Sequence, residues 1–100
     1  MVQIIRTEEY ASCILSLRDD RAKAKIAFRV DRLAFGNPGD VKPVGGGLSE
    51  MRIDYGPGYR VYYGKHGDSI ILLLCGGTKN GQSRDIKKAK ALFETWKTSK

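Results

Sequence analysis

Four charged side chains and a phenol, spaced two apart, mark the chemistry of this chain. Glu50, Arg52 and Asp54 alternate with Met51, Ile53 and Tyr55, and Arg60 and Tyr62 alternate with Tyr59, Val61 and Tyr63. Between the two runs lies Gly56-Pro57-Gly58, which is turn chemistry. Side chains alternate faces along a strand, so a hairpin of these runs is apolar on one face. Its other face bears carboxylates, guanidiniums and a phenol, and that face is the candidate site. With Gly56–Gly58 as a three-residue loop, Tyr55 faces Tyr59, Asp54 faces Arg60, Ile53 faces Val61 and Arg52 faces Tyr62. Cross-strand pairs such as Asp54 with Arg60, or Glu50 with Arg52, can also be plain ion pairs worth about 0.2–1 kcal/mol each.

The elements that must hold this hairpin follow from periodicity. Val2–Arg6 is a short β-branched run and reads as a first strand. Thr7 followed by Glu8 and Glu9 is a helix start, with Tyr10, Ile14 and Leu17 at helical spacing. Asp19 or Asp20 caps a second helix with the apolar stripe Ala22, Ile26, Val30 and Leu33, ending near Phe35 before Gly36-Asn37-Pro38-Gly39. Gly36–Gly47 reads as a loop, and its three consecutive glycines, Gly45–Gly47, lack the Lys-Ser or Lys-Thr of a P-loop. Ser69–Cys75 is a continuous apolar run, the signature of a central strand covered on both faces. A polar loop over Gly76–Gln82 leads to a last helix, capped by Ser83, with Ile86, Ala89, Phe93 and Trp96 on its apolar face. The order is strand, helix, helix, three antiparallel strands, helix. The simplest packing is an α+β domain, a small twisted and mainly antiparallel sheet with the N-terminal helical hairpin on one face and a C-terminal helix.

One domain of 100 residues accommodates all of this, residues 1–100. No run is long enough to cross a membrane, and no basic-then-apolar leader opens the chain. Cys13 and Cys75 lie far apart without CxxC spacing and read as reduced thiols in a cytosolic setting. The single histidine, His66, sits in turn residues, and one His with two distant cysteines makes no zinc site. No cofactor is expected. The net charge of +7 favours a polyanion or an acidic protein as partner. Its cations crowd two segments, Arg18–Arg32 and Arg84–Lys90.

Laid out this way, the chain resembles the RelE/ParE superfamily of type II toxins, in particular the HigB-like "addiction module killer protein" subgroup. The residues that carry the likeness are Gly47–Ile53, Gly58–Tyr63, Leu73–Lys79, Gln82 and Asp85–Ala89, with the first-helix entry and Arg18–Ala27 also fitting. The resemblance implies a compact RelE-like toxin domain that cleaves messenger RNA in the ribosomal A site. It also implies neutralisation by a cognate, HigA-like DNA-binding antitoxin. Carried over by position, Arg60 is the phosphate-clamping arginine and Lys79 the basic residue leaving the last strand. Glu50 and Arg52 stand where RelE has two lysines. Asp85-Ile86 stands where RelE has a functional tyrosine, and the HigB histidines have no counterparts here.

The chemistry this implies is metal-free attack of the RNA 2′-OH on its own phosphodiester, leaving a 2′,3′-cyclic phosphate and a 5′-OH. Arg60 and Arg52 would grip the phosphate, and Lys79 would stabilise the leaving oxygen. Glu50 would serve as base and Tyr62 would position or shuttle a proton. Arg84, Lys87, Lys88 and Gln82 are candidate RNA contacts. A ParE-like, non-catalytic inhibitor of DNA gyrase is the alternative, and an inactive basic binding module a third.

Overall fold

The computed structural model describes residues 2–98. Five strands form one mixed sheet: β1 (Gln3–Arg6), β2 (Val41–Gly45), β3 (Leu48–Ile53), β4 (Tyr59–His66) and β5 (Ile70–Thr78). Their spatial order is β1-β5-β4-β3-β2, with β1 parallel to β5 and every other pair antiparallel. Helices α1 (Glu8–Leu15) and α2 (Asp20–Ala34) follow β1, and α3 (Gln82–Thr98) closes the chain.

The sheet has a core on each face. Ile26, Val30 and Leu33 of α2 pack on Met51, Ile53, Val61, Tyr63, Ile71 and Leu73. Ala89 and Phe93 of α3 pack on Leu48, Tyr62, Leu72 and Leu74 on the other face. The strand alternation therefore reads as expected for Met51, Ile53, Tyr59, Val61 and Tyr63. The face opposite them differs from the solvated surface a one-sided sheet would have. Toward its middle α3 covers it, and the end that bears Arg52 and Arg60 stays open.

Thr7 shows how local chemistry seats these layers. Its Oγ1 accepts from the Tyr10 N–H at 3.2 Å, capping α1. The same hydroxyl donates toward the carbonyls of Leu73 and Leu74, at 2.8 and 3.0 Å. Those residues sit where the β4–β5 register slips, with Tyr62 opposite Cys75 but Tyr63 opposite Leu73. The bulge turns Leu74 and Cys75 to the same side and swings Gly77 opposite Arg60. Thr7→Val keeps the shape and removes both roles. An expected loss of about 1–2 kcal/mol would be read as a lowered urea midpoint with unchanged slope.

Three expectations need correction. Gly36–Gly47 is not wholly a loop, since Val41–Gly45 is the edge strand β2, paired with β3. Pro43 is tolerated there because an edge strand has one unpaired side. Gly45, Gly46 and Gly47 all take positive φ (89°, 64° and 81°) and make the tight β2–β3 turn. The hairpin register is also shifted. Ile53 pairs with Tyr59, Arg52 with Arg60 and Glu50 with Tyr62. The loop thus includes Asp54 and Tyr55, and a shift of two leaves every side chain on its expected face. Finally, β5 runs on through Gly76, Gly77 and Thr78 into a 3-10 turn, Lys79–Gly81, and α3 starts at Gln82, so Ser83 lies inside the helix.

Candidate functional site

The open end of the α3-side face holds one buried carboxylate surrounded by donors. The Glu50 side chain is 0% exposed. Its Oε1 lies 3.7 Å from the Arg52 Nε and 3.7 Å from the Arg60 Nε. Its Oε2 accepts from the Tyr62 hydroxyl at 3.2 Å and from the Gln82 Nε2 at 2.7 Å. Arg60 is 9% exposed at its side chain and Arg52 40%. Oε1 of Glu50 and Nε of Arg60 are both buried without a hydrogen bond, so the contact between them is ionic.

Above this network is a cleft of about 400 Å³, walled by Asp40, Arg52, Asp54, Arg60, Lys79 and the Gly56–Gly58 loop. Gly58, at φ 81°, is where the chain brings the cations together. A Cβ placed there would lie 3.4 Å from the Lys79 Cβ and 3.6 Å from the Arg60 Nη1. The Lys79 N–H also donates to the Gly58 carbonyl at 2.9 Å, fastening the turn after β5 to the hairpin loop.

Arg52 is fixed through its backbone as well. Its N–H donates to the Asp40 carbonyl at 2.9 Å, and its own carbonyl accepts from the Arg29 Nη1 at 2.6 Å. Arg29 further donates to the carbonyls of Pro38 and Asp40, at 3.0 and 3.2 Å. This α2 arginine is thus a clamp on the approach to β2 and not a free surface charge.

Of the sequence candidates, Arg52, Arg60 and Lys79 line one cleft. Glu50 and Tyr62 do not open onto it. Both are fully buried, so neither touches a substrate in this arrangement; in place of base and proton shuttle, Glu50 is the internal partner of the two arginines and Tyr62 a hydrogen-bond donor to Glu50. Burial first, and the Glu50 charge second, push the Tyr62 phenol up. Gln82, proposed as an RNA contact, spends its amide on Glu50. Arg84, Lys87 and Lys88 are exposed on α3, and none lines the cleft.

Sequence reasoning missed Asp40, Arg29 and Asp85. Asp40 lies 3.9 Å from Arg52 and became visible only with β2. Asp85 lays its carboxylate against Gly77, leaving no room for a Cβ, which is why β5 carries glycine at that position. The helical spacing of Arg29 relative to the α2 stripe gave no signal, because its partners are backbone carbonyls.

Away from the cleft, burial raises the Cys75 thiol to about 12 and the Tyr10 phenol to about 12. Each holds its proton more tightly folded than unfolded. Their stabilising effect is complete below the unfolded values, near 9 and 10, and is lost as pH rises toward 12. Urea midpoints are expected to hold to about pH 9 and fall steeply above it, with Cys75 inert to thiol reagents until the chain opens. A midpoint flat to pH 11 would contradict this.

The molecule is therefore a compact α+β domain, a five-stranded mixed sheet with three helices and a cation-lined cleft at one end. Among the described residues no helix is long and apolar enough to cross a membrane. No family model matches the sequence. A protein of Haemophilus influenzae, described as an uncharacterized protein, is 50% identical over 93 residues, which span 93% of this chain and 94% of that protein. The chain belongs to the family of that Haemophilus protein.

Proposed function

We propose that this chain is the toxin of a type II toxin–antitoxin pair, of the RelE/ParE superfamily and HigB-like. It acts in the cytoplasm as a ribosome-dependent RNA endonuclease and is silenced by a cognate DNA-binding antitoxin. The observation that supports this reading is the convergence of Arg52, Arg60 and Lys79 on one open cleft. Three cations around a space of this size suit a phosphodiester, whose developing charge they stabilise.

RNA supplies its own nucleophile. The 2′-OH attacks the phosphorus, the P–O5′ bond breaks, and the proton passes from the 2′ oxygen to the leaving 5′ oxygen by way of the site. The carboxylates that reach the cleft are Asp40 and Asp54, and in this reading one of them accepts the 2′-OH proton. Lys79 stabilises the 5′ oxygen as it leaves.

The test is to incubate the purified chain with ribosomes stalled on a defined message and map the new 5′ ends. Cuts inside the A-site codon, leaving a 2′,3′-cyclic phosphate, are expected. Intact message with double-strand DNA breaks after expression in cells would replace this reading with inhibition of gyrase.

A further inference from the structure

We propose that Glu50 is the positioning residue of the cleft, a single buried carboxylate that sets the spacing of Arg52, Arg60 and Lys79. Arg52 and Arg60 stand directly opposite each other on β3 and β4. Like charges so placed repel, and nothing in the ladder itself holds them together. Glu50 Oε1 sits 3.7 Å from the Nε of each, so one oxygen balances both.

The other oxygen is immobilised. The Tyr62 hydroxyl and the Gln82 amide both donate to Oε2, so the carboxylate cannot turn toward one arginine at the other's expense. Gln82 matters for a second reason. It is the first residue of α3 and directly follows the 3-10 turn that begins with Lys79. Its 2.7 Å bond therefore ties that turn to the same carboxylate. The backbone bond from Lys79 to Gly58 closes the loop from the other side. All three cations of the cleft are thus referred to one atom group that no substrate can reach.

For its effect on rate this inference rests on the RNA-cleavage reading; its geometric content does not. The experiment uses the full chain labelled with ¹⁵N, as wild type, Glu50→Gln and Gln82→Ala. Glu50→Gln is expected to move the side-chain Nε–Hε resonances of both Arg52 and Arg60. Gln82→Ala is expected to move the Lys79 backbone amide. On programmed ribosomes at saturation, Glu50→Gln should slow cleavage by about 10²-fold, the cost of misplacing a clamp by about 1 Å. Its affinity for an uncleavable 2′-O-methyl RNA should stay level or rise, since a negative charge has been removed.

A shift of only one arginine, or of neither, overturns the proposal. So does a parallel fall in RNA affinity and cleavage, which marks a merely structural role. Loss of the acidic limb of the pH–rate profile with unmoved arginine resonances marks a general base instead and also overturns it. If wild type does not cleave on ribosomes, the nuclease reading fails, and the arginine resonances alone decide the positioning claim. Should Glu50→Gln not fold, Tyr62→Phe and Gln82→Ala each free one side of Oε2, and both must then move the arginine resonances.

Discussion

Arg60→Ala is expected to lower cleavage on programmed ribosomes by about 10²–10³-fold, the usual effect of deleting one preorganised donor. In cells the same variant should no longer arrest growth. The reason is geometric. Arg60 is the cation held from beneath by Glu50 and from the side by the Tyr59 carbonyl, which accepts from its Nη1 at 3.3 Å. A side chain so fixed loses little freedom when a phosphate arrives. The variant will also be less stable, since breaking a buried ion pair from one side costs on the order of 3–5 kcal/mol. Arg52 on the same Glu50 oxygen reduces that loss here. Arg60→Lys separates the two effects. It keeps the charge beneath the cleft but not the planar fork, so it should fold closer to wild type and still cut poorly. Full toxicity of both variants at normal expression would remove Arg60 from the site.

Phe93→Ala is expected to destabilise the fold by about 3–5 kcal/mol. Phe93 is 3% exposed and is the ring by which α3 grips the sheet. It lies over Gly64 so closely that a Cβ there would fall 2.7 Å from its Cε1, and it stacks at 6.5 Å on Trp96. Total stability for a domain of this size is about 5–15 kcal/mol, so most of a weak domain's margin could go. At about 4–8 °C per kcal/mol, the midpoint should drop by more than about 10 °C. The consequence reaches the cleft, because α3 carries Gln82. A melt within a few degrees of wild type would show that α3 is held mainly elsewhere.

How much of this was legible beforehand depends on what kind of signal each part leaves. The alternation in Glu50–Tyr55 and Tyr59–Tyr63 fixes faces, and those faces hold even though the hairpin loop is two residues longer than its glycines suggested. Periodicity is blind to a shift of two. The α2 stripe and the β5 run were readable because burial on one stripe or on both faces leaves a distinct pattern. Strand β2 was not, since Val-Lys-Pro-Val-Gly carries breaker residues that only an edge position excuses. The cations of the cleft could be named, but the state of Glu50 could not. Whether a carboxylate on a polar face is wet or sealed depends on what packs above it, and here that is Tyr62 and Gln82 from β4 and α3. Of the acids that face the cleft, Asp54 falls on the polar face by alternation, whereas Asp40 lies in the loop segment before β2, where pattern says least.

The rim of the sheet has a bearing on how this molecule behaves in a crowd. One border strand, β1, spans only Gln3–Arg6, too short to template a long added strand, while α1 packs on its inner neighbour β5. The other, β2, presents exposed Lys42 and Pro43 and loses its regular spacing between Pro43 and Gly45. A foreign strand approaching that side meets a missing donor, a desolvation penalty at the ammonium and a broken rhythm of carbonyls. Neither border offers a template for recruiting further chains into a growing ribbon. The borders of the sheet thus work against its growth into a fibril-like ribbon.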